Sequence, residues 1–323
     1  MNPKSVLFFD THSFEKPYYK NTPFPIQFFD FHLNPTTVAA APPAMAIVCF
    51  VNDVLNDEVL EILFKKGVRI IALRCAGFNN VSIKRAQELG IKVVRVPEYS
   101  PHAVAEHAVG LMLNLARKIH KSYHRIHDFN FSLDGLVGFN IFQKQIGVIG
   151  TGRIGKVFCQ ILKGFGSHVS AYDISPDLAW AQSVGVHYTD LETIWKNSDI
   201  ISLHCPLTPE SRHLVDEKIF EQLKPSCILV NTSRGALINT QSLITALKHK
   251  KIAGAGLDVY EEEENFFFRD LSNEILDDDT LTRLISFPNV LVTSHQGFLT
   301  HEALQKIAST TINHLNDFFS ERK

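Results

Sequence analysis

The 323 residues are 45% hydrophobic and 20% charged, enough apolar material for sizeable cores and too long for one compact core, so two domains are expected. A formal net charge of −2 with no basic block removes the usual electrostatic basis for binding nucleic acid. The five cysteines (Cys49, Cys75, Cys159, Cys205, Cys227) are scattered and lack CxxC spacing, which fits a reduced cytoplasmic protein better than a disulfide framework or a metal site. The N-terminal apolar run is too short for a signal segment, and no stretch reaches the ~18 apolar residues that span a bilayer.

The elements alternate from the start. "SVLFF" (5–9), "MAIVCFV" (45–51), "VRIIAL" (68–73) and "IKVVRV" (91–96) read as continuously apolar strands, with helical stretches such as "DEVLEILFKKG" (57–67) between them. Strands of this kind, alternating with helices, imply a parallel sheet covered on both faces. After "VPEYSP" the pattern predicts one long helix over about 101–127, with Ser100 as its N-cap. Its apolar stretch from Ala108 to Ala116 is to be buried, inside a domain or between subunits. A second alternating series follows: "KQIGVIG" (144–150), "HVSAYD" (168–173), "DIISLHCP" (199–206), "CILVN" (227–231), "IAGAGLDVY" (252–260) and "NVLVTSH" (289–295), then a last helix over about 301–319.

Gly150, Gly152 and Gly155 have G-x-G-x-x-G spacing directly after a predicted strand and at the opening of a helix. The first permits a tight turn, the second lets a pyrophosphate approach the backbone, and the third lets helix and strand pack closely. Asp173 ends the next strand, 18 residues beyond Gly155, where a carboxylate accepts hydrogen bonds from the adenosine ribose and repels a 2′-phosphate. This unit reads as an NAD-binding domain.

Three further strand ends lie on the same sheet edge. Arg234 follows "CILVN", His295 ends "NVLVTSH", and Asp258 leads into the run Glu261–Glu264. A guanidinium grips a carboxylate through two charge-assisted bonds and polarises a neighbouring carbonyl. An imidazole delivers a proton to the carbonyl oxygen as hydride arrives. A glutamate on the other ring nitrogen would fix the tautomer and favour the protonated ring. Residue spacing alone does not say which of the four glutamates does so.

In order and spacing, "RCAGFNNV" (74–81), "YSPHAVAEHAVGL" (99–111), "GVIGTGRIG" (147–155), "SLHCPLT" (202–208), "VNTSRGALI" (230–238), "LDVYEEE" (257–263) and "HQGFLT" (295–300) resemble the NAD-dependent D-2-hydroxyacid dehydrogenases. Within them the chain is most similar to the fermentative D-lactate dehydrogenases, over essentially its whole length. The resemblance implies that Arg234 binds the substrate carboxylate, His295 is the acid/base and Glu263 is its partner. It further implies backbone contacts to that carboxylate from Ala76 and Gly77, and pyrophosphate contacts from Arg153 and Ile154. Cys205 and Pro206 would line the adenosine side, with Thr232, Ser233 and Asp258 near the nicotinamide carboxamide. Tyr99 and Phe298 would close the substrate end to a methyl-sized group, hence pyruvate.

The fold so implied has two Rossmann-like or flavodoxin-like parallel-sheet domains with a cleft between them: residues 1–98 plus 297–323 for substrate, and 99–296 for NAD. A homodimer or homotetramer in the cytoplasm, with no membrane or nucleic-acid partner, completes the expectation. The alternatives are a dehydrogenase for a larger 2-oxo acid, or an NAD-sensing corepressor-like binding protein. His120, His124 and His127 share a helical face but lack a ligand pattern and read as a solvated or interface face. His102 and His107 read as packing and hydrogen-bonding residues rather than a relay, and Glu261, Glu262 and Glu264 as loop surface.

Overall fold

The computed structural model describes residues 5–321 and divides into two compact units. Unit 1 takes the chain up to Ser100 and from Phe298 onward; unit 2 takes Pro101–Gly297.

Unit 1 is built on five parallel strands, β1 (Val6–Phe8), β2 (Ile26–Phe28), β3 (Ala46–Cys49), β4 (Ile70–Leu73) and β5 (Lys92–Arg95), in the order β2-β1-β3-β4-β5. That is the flavodoxin-like doubly wound order. The residues of β1, β3 and β4 are all buried, as their unbroken apolar runs require. β2 escapes a sequence reading: it is three residues long, and its outer position leaves it half-exposed. Helix α1 (Asp57–Lys65) starts where Asn56 accepts a hydrogen bond from the Val59 N–H, and Gly67, at φ +97°, turns the chain away after it. α2 (Ile83–Glu88) precedes β5. The last helix (His301–Ser320) belongs to this unit, and its Ala308, Leu315, Phe318 and Phe319 share a core with Val6, Phe8, Val48 and Ile70. Arg74 is fully buried, paired with Glu15 and bonded to the Phe9 and Asp10 carbonyls.

Unit 2 opens with α3 (Pro101–Arg117) and α4 (Ile119–His127), which replace the single helix expected over 101–127. The break is at Lys118, in the left-handed region at φ +54°; the Asn114 side chain accepts from the His120 N–H and so holds the start of α4. The apolar face of α3 is accounted for inside the unit, packed with residues of the sheet and of α5 (Arg153–Gly164). It therefore gives no reason by itself to infer a subunit contact.

Seven parallel strands follow: β6 (Gln145–Ile149), β7 (His168–Tyr172), β8 (His187–Tyr188), β9 (Ile200–Leu203), β10 (Ile228–Asn231), β11 (Gly254–Leu257) and β12 (Val290–Val292). Their order is β12-β11-β10-β9-β6-β7-β8. The order reverses between β6 and β9, which makes that gap the switch point where doubly wound sheets take their ligands. Between the strands run α6 (Leu178–Val184), α7 (Leu191–Asn197), α8 (Glu217–Phe220), α9 (Thr240–Lys248) and α10 (Asp279–Ile285); the last helix of the chain is α11. Asp177, Asp190, Asp216, Asn239 and Asp278 cap the five, each accepting from a backbone N–H three residues on.

Candidate active site

The glycine loop sits directly after β6. Gly150, at φ +93°, lies so close to the loop after β9 that a Cβ would stand 2.5 Å from the Cys205 nitrogen. A Cβ on Gly155 would stand 2.0 Å from the Gly150 carbonyl oxygen, so helix α5 can lie against the turn only without one. Gly152 caps α5 and has nothing within 4 Å of the same point, which leaves the helix N-terminus, with Arg153 and Ile154 in its first turn, open to an anion. Asp173 follows β7; its Oδ2 accepts from the Thr151 N–H (2.6 Å) and hydroxyl (3.1 Å), and its Oδ1 from the Ser175 N–H.

Cys205 and Pro206 come directly after β9. Burial pushes the Cys205 thiol up to about 11, so it is a neutral lining group. Its carbonyl accepts from the Ser233 hydroxyl at 2.7 Å, which ties this loop to the one after β10. Thr232 is 7% exposed and its hydroxyl is a buried polar atom without a hydrogen-bond partner among the described residues, the condition expected where a polar ligand completes the site. The glycine cradle, the open helix terminus and this orphaned hydroxyl together fit a dinucleotide.

Arg234 follows at the end of the same loop. Asn231, which the sequence reading did not single out, brackets it: the side-chain amide donates to the Arg234 carbonyl (2.9 Å) and accepts from the Ser233 N–H (3.0 Å). The guanidinium of Arg234 donates to the Ser233 carbonyl, and no carboxylate among the described residues stands within ion-pair distance of it. It keeps donors for a ligand.

His295 lies past β12 at φ +51°, its N–H donating to the Asp258 carbonyl at 2.7 Å. Its Nδ1 stands 2.7 Å from Glu263 Oε1, and Glu263 Oε2 accepts from the Tyr260 N–H, so both carboxylate oxygens are held. Nδ1 is thus the ring nitrogen that the carboxylate engages. The ring faces Phe268, 6.1 Å between centroids, and Phe266, Phe267 and Phe268 fasten the glutamate loop to the core of unit 2.

Asp258 is a hub. Buried to 1%, it accepts from the Thr293 hydroxyl (2.5 Å) and the N–H groups of Gln296 and Gly297, with His107 Nε2 at 3.2 Å. Burial works to raise its carboxyl, but these donors outweigh it and hold the group below the usual carboxylate range. His107 is thus a hydrogen-bonding residue, as its sequence context suggested, with Thr293 and Asp258 as its partners.

Two expectations are corrected here. Glu261 is not loop surface: its side chain is 18% exposed and lies 2.6 Å from His213 Nε2. His120 is bonded to Asn114 and to the Pro288 carbonyl rather than sharing an open face with its neighbours.

In unit 1, Tyr99 and Phe298 meet edge to face at 6.2 Å, and Phe50, unnoticed in the sequence, adds a third ring 5.9 Å from Phe298. Ala76 and Gly77 follow β4; the Ala76 carbonyl accepts from Arg95 and the Gly77 carbonyl from the Cys75 thiol. Among the described residues no group of three His, Cys, Asp or Glu is arranged to hold a metal ion.

Comparison with known proteins supports this reading. Residues 109–297 match the family model described as D-isomer specific 2-hydroxyacid dehydrogenase, NAD binding domain. The D-lactate dehydrogenase of Escherichia coli is 54% identical over 294 residues, covering 91% of this chain and 89% of that protein. The apo-structure of D-lactate dehydrogenase from E. coli superposes with a TM-score of 0.90 at 48% identity, over 98% of this chain and 97% of the other. The D-lactate dehydrogenase of Aquifex aeolicus, solved in complex with NAD and lactic acid, does so with a TM-score of 0.87 at 29% identity, over 98% and 96%. A dinucleotide cradle at the switch point, with an arginine and a paired histidine on the same sheet edge, therefore has its family: the chain belongs to the D-isomer specific 2-hydroxyacid dehydrogenases.

Proposed function

We propose that the protein is a D-lactate dehydrogenase: pyruvate + NADH + H⁺ ⇌ D-lactate + NAD⁺. The observation that carries the reading is the 2.7 Å pairing of His295 Nδ1 with Glu263, on the sheet edge where Arg234 has no carboxylate among the described residues within ion-pair distance. Similarity to D-lactate dehydrogenases over nearly the whole chain narrows the substrate class to pyruvate.

NADH supplies the hydride when bound. Gly150, Gly152, Arg153, Ile154 and Gly155 would hold its pyrophosphate and Asp173 its ribose, with Cys205 and Pro206 along the adenosine. Thr232, Ser233 and Asp258 would serve the carboxamide. Arg234 grips the substrate carboxylate and polarises the adjacent carbonyl. His295 donates its Nε2 proton to the carbonyl oxygen, and in the reverse direction recovers it from the hydroxyl. Glu263 fixes the ring and its orientation through Nδ1. In unit 1, Ala76 and Gly77 are assigned to the substrate carboxylate, and Tyr99, Phe298 and Phe50 to the methyl end. The decisive experiment is a panel of 2-oxo acids assayed with NADH and NADPH, with the stereochemistry of the product determined. Pyruvate and NADH should give the highest kcat/KM, and the product should be the D isomer. A preference for phenylpyruvate or a branched-chain oxo acid would overturn the pyruvate assignment.

The proposal extends to a cytoplasmic homodimer, the building block of a homotetramer in some arrangements. No helix among the described residues is long and apolar enough to cross a membrane. The contact surface assigned here is α4 and the segment after it, where Phe129 (83% exposed), Leu133 (79%) and Val137 (84%) stand in a run of open apolar side chains. Light scattering should give twice the chain mass, falling to one chain on replacing all three with serine; an unchanged mass would reject the surface.

A further inference from the structure

The glutamate run contains a second engaged carboxylate, and the proton relay makes no use of it. Glu261 Oε1 lies 2.6 Å from His213 Nε2 and 3.1 Å from Arg212 Nη2, and Oε2 accepts from the Thr240 hydroxyl at 3.3 Å. Arg212 is 56% exposed, so its pairing adds little. His213 and Thr240 are more sheltered.

His213 and Thr240 are both tied to the backbone that carries Arg234. The His213 N–H donates to the Ala236 carbonyl (2.8 Å), the Val215 N–H to Leu237 (3.0 Å), and the Asn239 N–H returns to Val215 (3.0 Å). Arg234 caps the 3₁₀ turn Gly235–Leu237 that this ladder fixes. Gly235 in turn presses against the turn that carries both glutamates: a Cβ there would stand 2.1 Å from the Tyr260 carbonyl carbon and 2.4 Å from the Glu261 nitrogen. Any side chain at 235 would force the two segments apart.

The arginine loop is thus seated between the 212–215 loop and the 259–263 turn, and Glu261 bonds across that joint. Two residues on, Glu263 reaches from the same turn to His295. We propose that Glu261 and His213 form a positioning pair that sets Arg234 at its working distance from the Glu263–His295 pair and so governs how tightly the carboxylate of the 2-oxo acid is held. Two-point recognition by a guanidinium is demanding in geometry, and a misplacement of about 1 Å can cost on the order of a hundredfold. This inference rests on the proposed 2-oxo acid reduction.

The test is steady-state kinetics with pyruvate and NADH for wild type, Glu261→Gln, His213→Asn and the double variant, each profiled against pH and checked for folding by circular dichroism. Each single variant should raise the KM for pyruvate about tenfold, as loss of binding shared by ground and transition states does, with kcat within about threefold and the KM for NADH unchanged. The shape of the pH profile should stay as in the wild type, since neither substitution touches His295 or Glu263. The double variant should match the singles, because one joint is broken once. Unchanged KM in both folded single variants, a fall in kcat alone, or additive losses in the double variant would each overturn the positioning role. A wild type that reduces no 2-oxo acid would instead overturn the proposed function; an active wild type with an indifferent Glu261→Gln and His213→Asn overturns only this inference.

Discussion

Asp258 Oδ2 accepts the N–H of Gly297 at 2.8 Å, across 39 residues of chain. Gly297 is the last residue of unit 2 before the chain returns to unit 1, and His107 on α3, soon after the first entry, stands against the same carboxylate. One buried anion thus organises both places where the chain enters and leaves the unit, and the segment holding His295 besides.

Asp258→Asn should damage that organisation. The amide can accept from some of the four donors but must turn its own NH₂ toward another, leaving a buried donor unmatched at a cost of about 1–3 kcal/mol. Thermal unfolding should show that loss, and kcat should fall at least about tenfold as the His295 segment loosens. A variant with wild-type kcat and Tm would show the hub to be dispensable.

Glu263→Gln should lower kcat/KM for pyruvate by about tenfold. Glu263 Oε1 holds His295 Nδ1 at 2.7 Å while Oε2 accepts from the Tyr260 N–H, and an amide offers an acceptor to only one of them and turns its NH₂ toward the other donor. Glu262→Gln and Glu264→Gln should leave kcat/KM unchanged, since both side chains face water. Steady-state kinetics of the three variants decides it.

Replacing Asp173 by alanine should narrow the preference for NADH over NADPH. The carboxylate is fixed by Thr151 and Ser175 at the end of β7, where a 2′-phosphate would meet it. Equal kcat/KM for the two cofactors in the wild type would remove the assignment.

Phe298→Ala should favour longer 2-oxo acids by degrees, because a methylene is worth only about 1–3 kcal/mol of discrimination. The three-ring contact with Tyr99 and Phe50 makes Phe50→Ala a second route to the same change. Comparing kcat/KM for pyruvate and 2-oxobutyrate measures both.

Asp53 gives unit 1 a dependence on pH of its own. It is fully buried, and burial together with the nearby Asp10 pushes its carboxyl up to about 7, against the N–H groups of Leu33 and Phe50 that bond its two oxygens. A raised carboxyl stabilises the folded state most below the ordinary value near 3.8, and that contribution is lost as pH rises toward 7. Asp10 and Asp258 are held low, so their contributions are present above the ordinary range and vanish only in acid. The windows do not overlap. Calorimetry from pH 4 to 7 should therefore show a decline in Tm in the wild type, on the order of 5 °C, that Asp53→Asn flattens.

Much of this site was legible because apolar strands announce their own ends. Arg234, Asp258 and His295 each follow a buried run, and a parallel sheet brings such ends to one edge. Glu261 and Glu263 were not separable by pattern. Which of them meets the histidine depends on the 3₁₀ turn at Glu263–Asn265 and on a left-handed His295, and neither leaves a mark in residue type. Lys118 illustrates the same limit: lysine has no preference for positive φ, so the break between α3 and α4 comes from the Asn114 bond, a tertiary detail. β2 was lost because Gln27 interrupts its apolar run and its residues are not buried, and Asn231 because its value lies wholly in where its amide points.

The placement of α11 sets an order of assembly. On the ribosome the strands of unit 1 emerge first, yet Ala308, Leu315, Phe318 and Phe319, which fill the core beside β1, β3 and β4, are made after all of unit 2. The early-made sheet must wait with apolar surface uncovered while the nucleotide unit, continuous in the chain, completes itself. Newborn chains are therefore most exposed to aggregation and to chaperones in that interval, and a truncation that removes α11 leaves the first-made unit unfinished while the second can still fold.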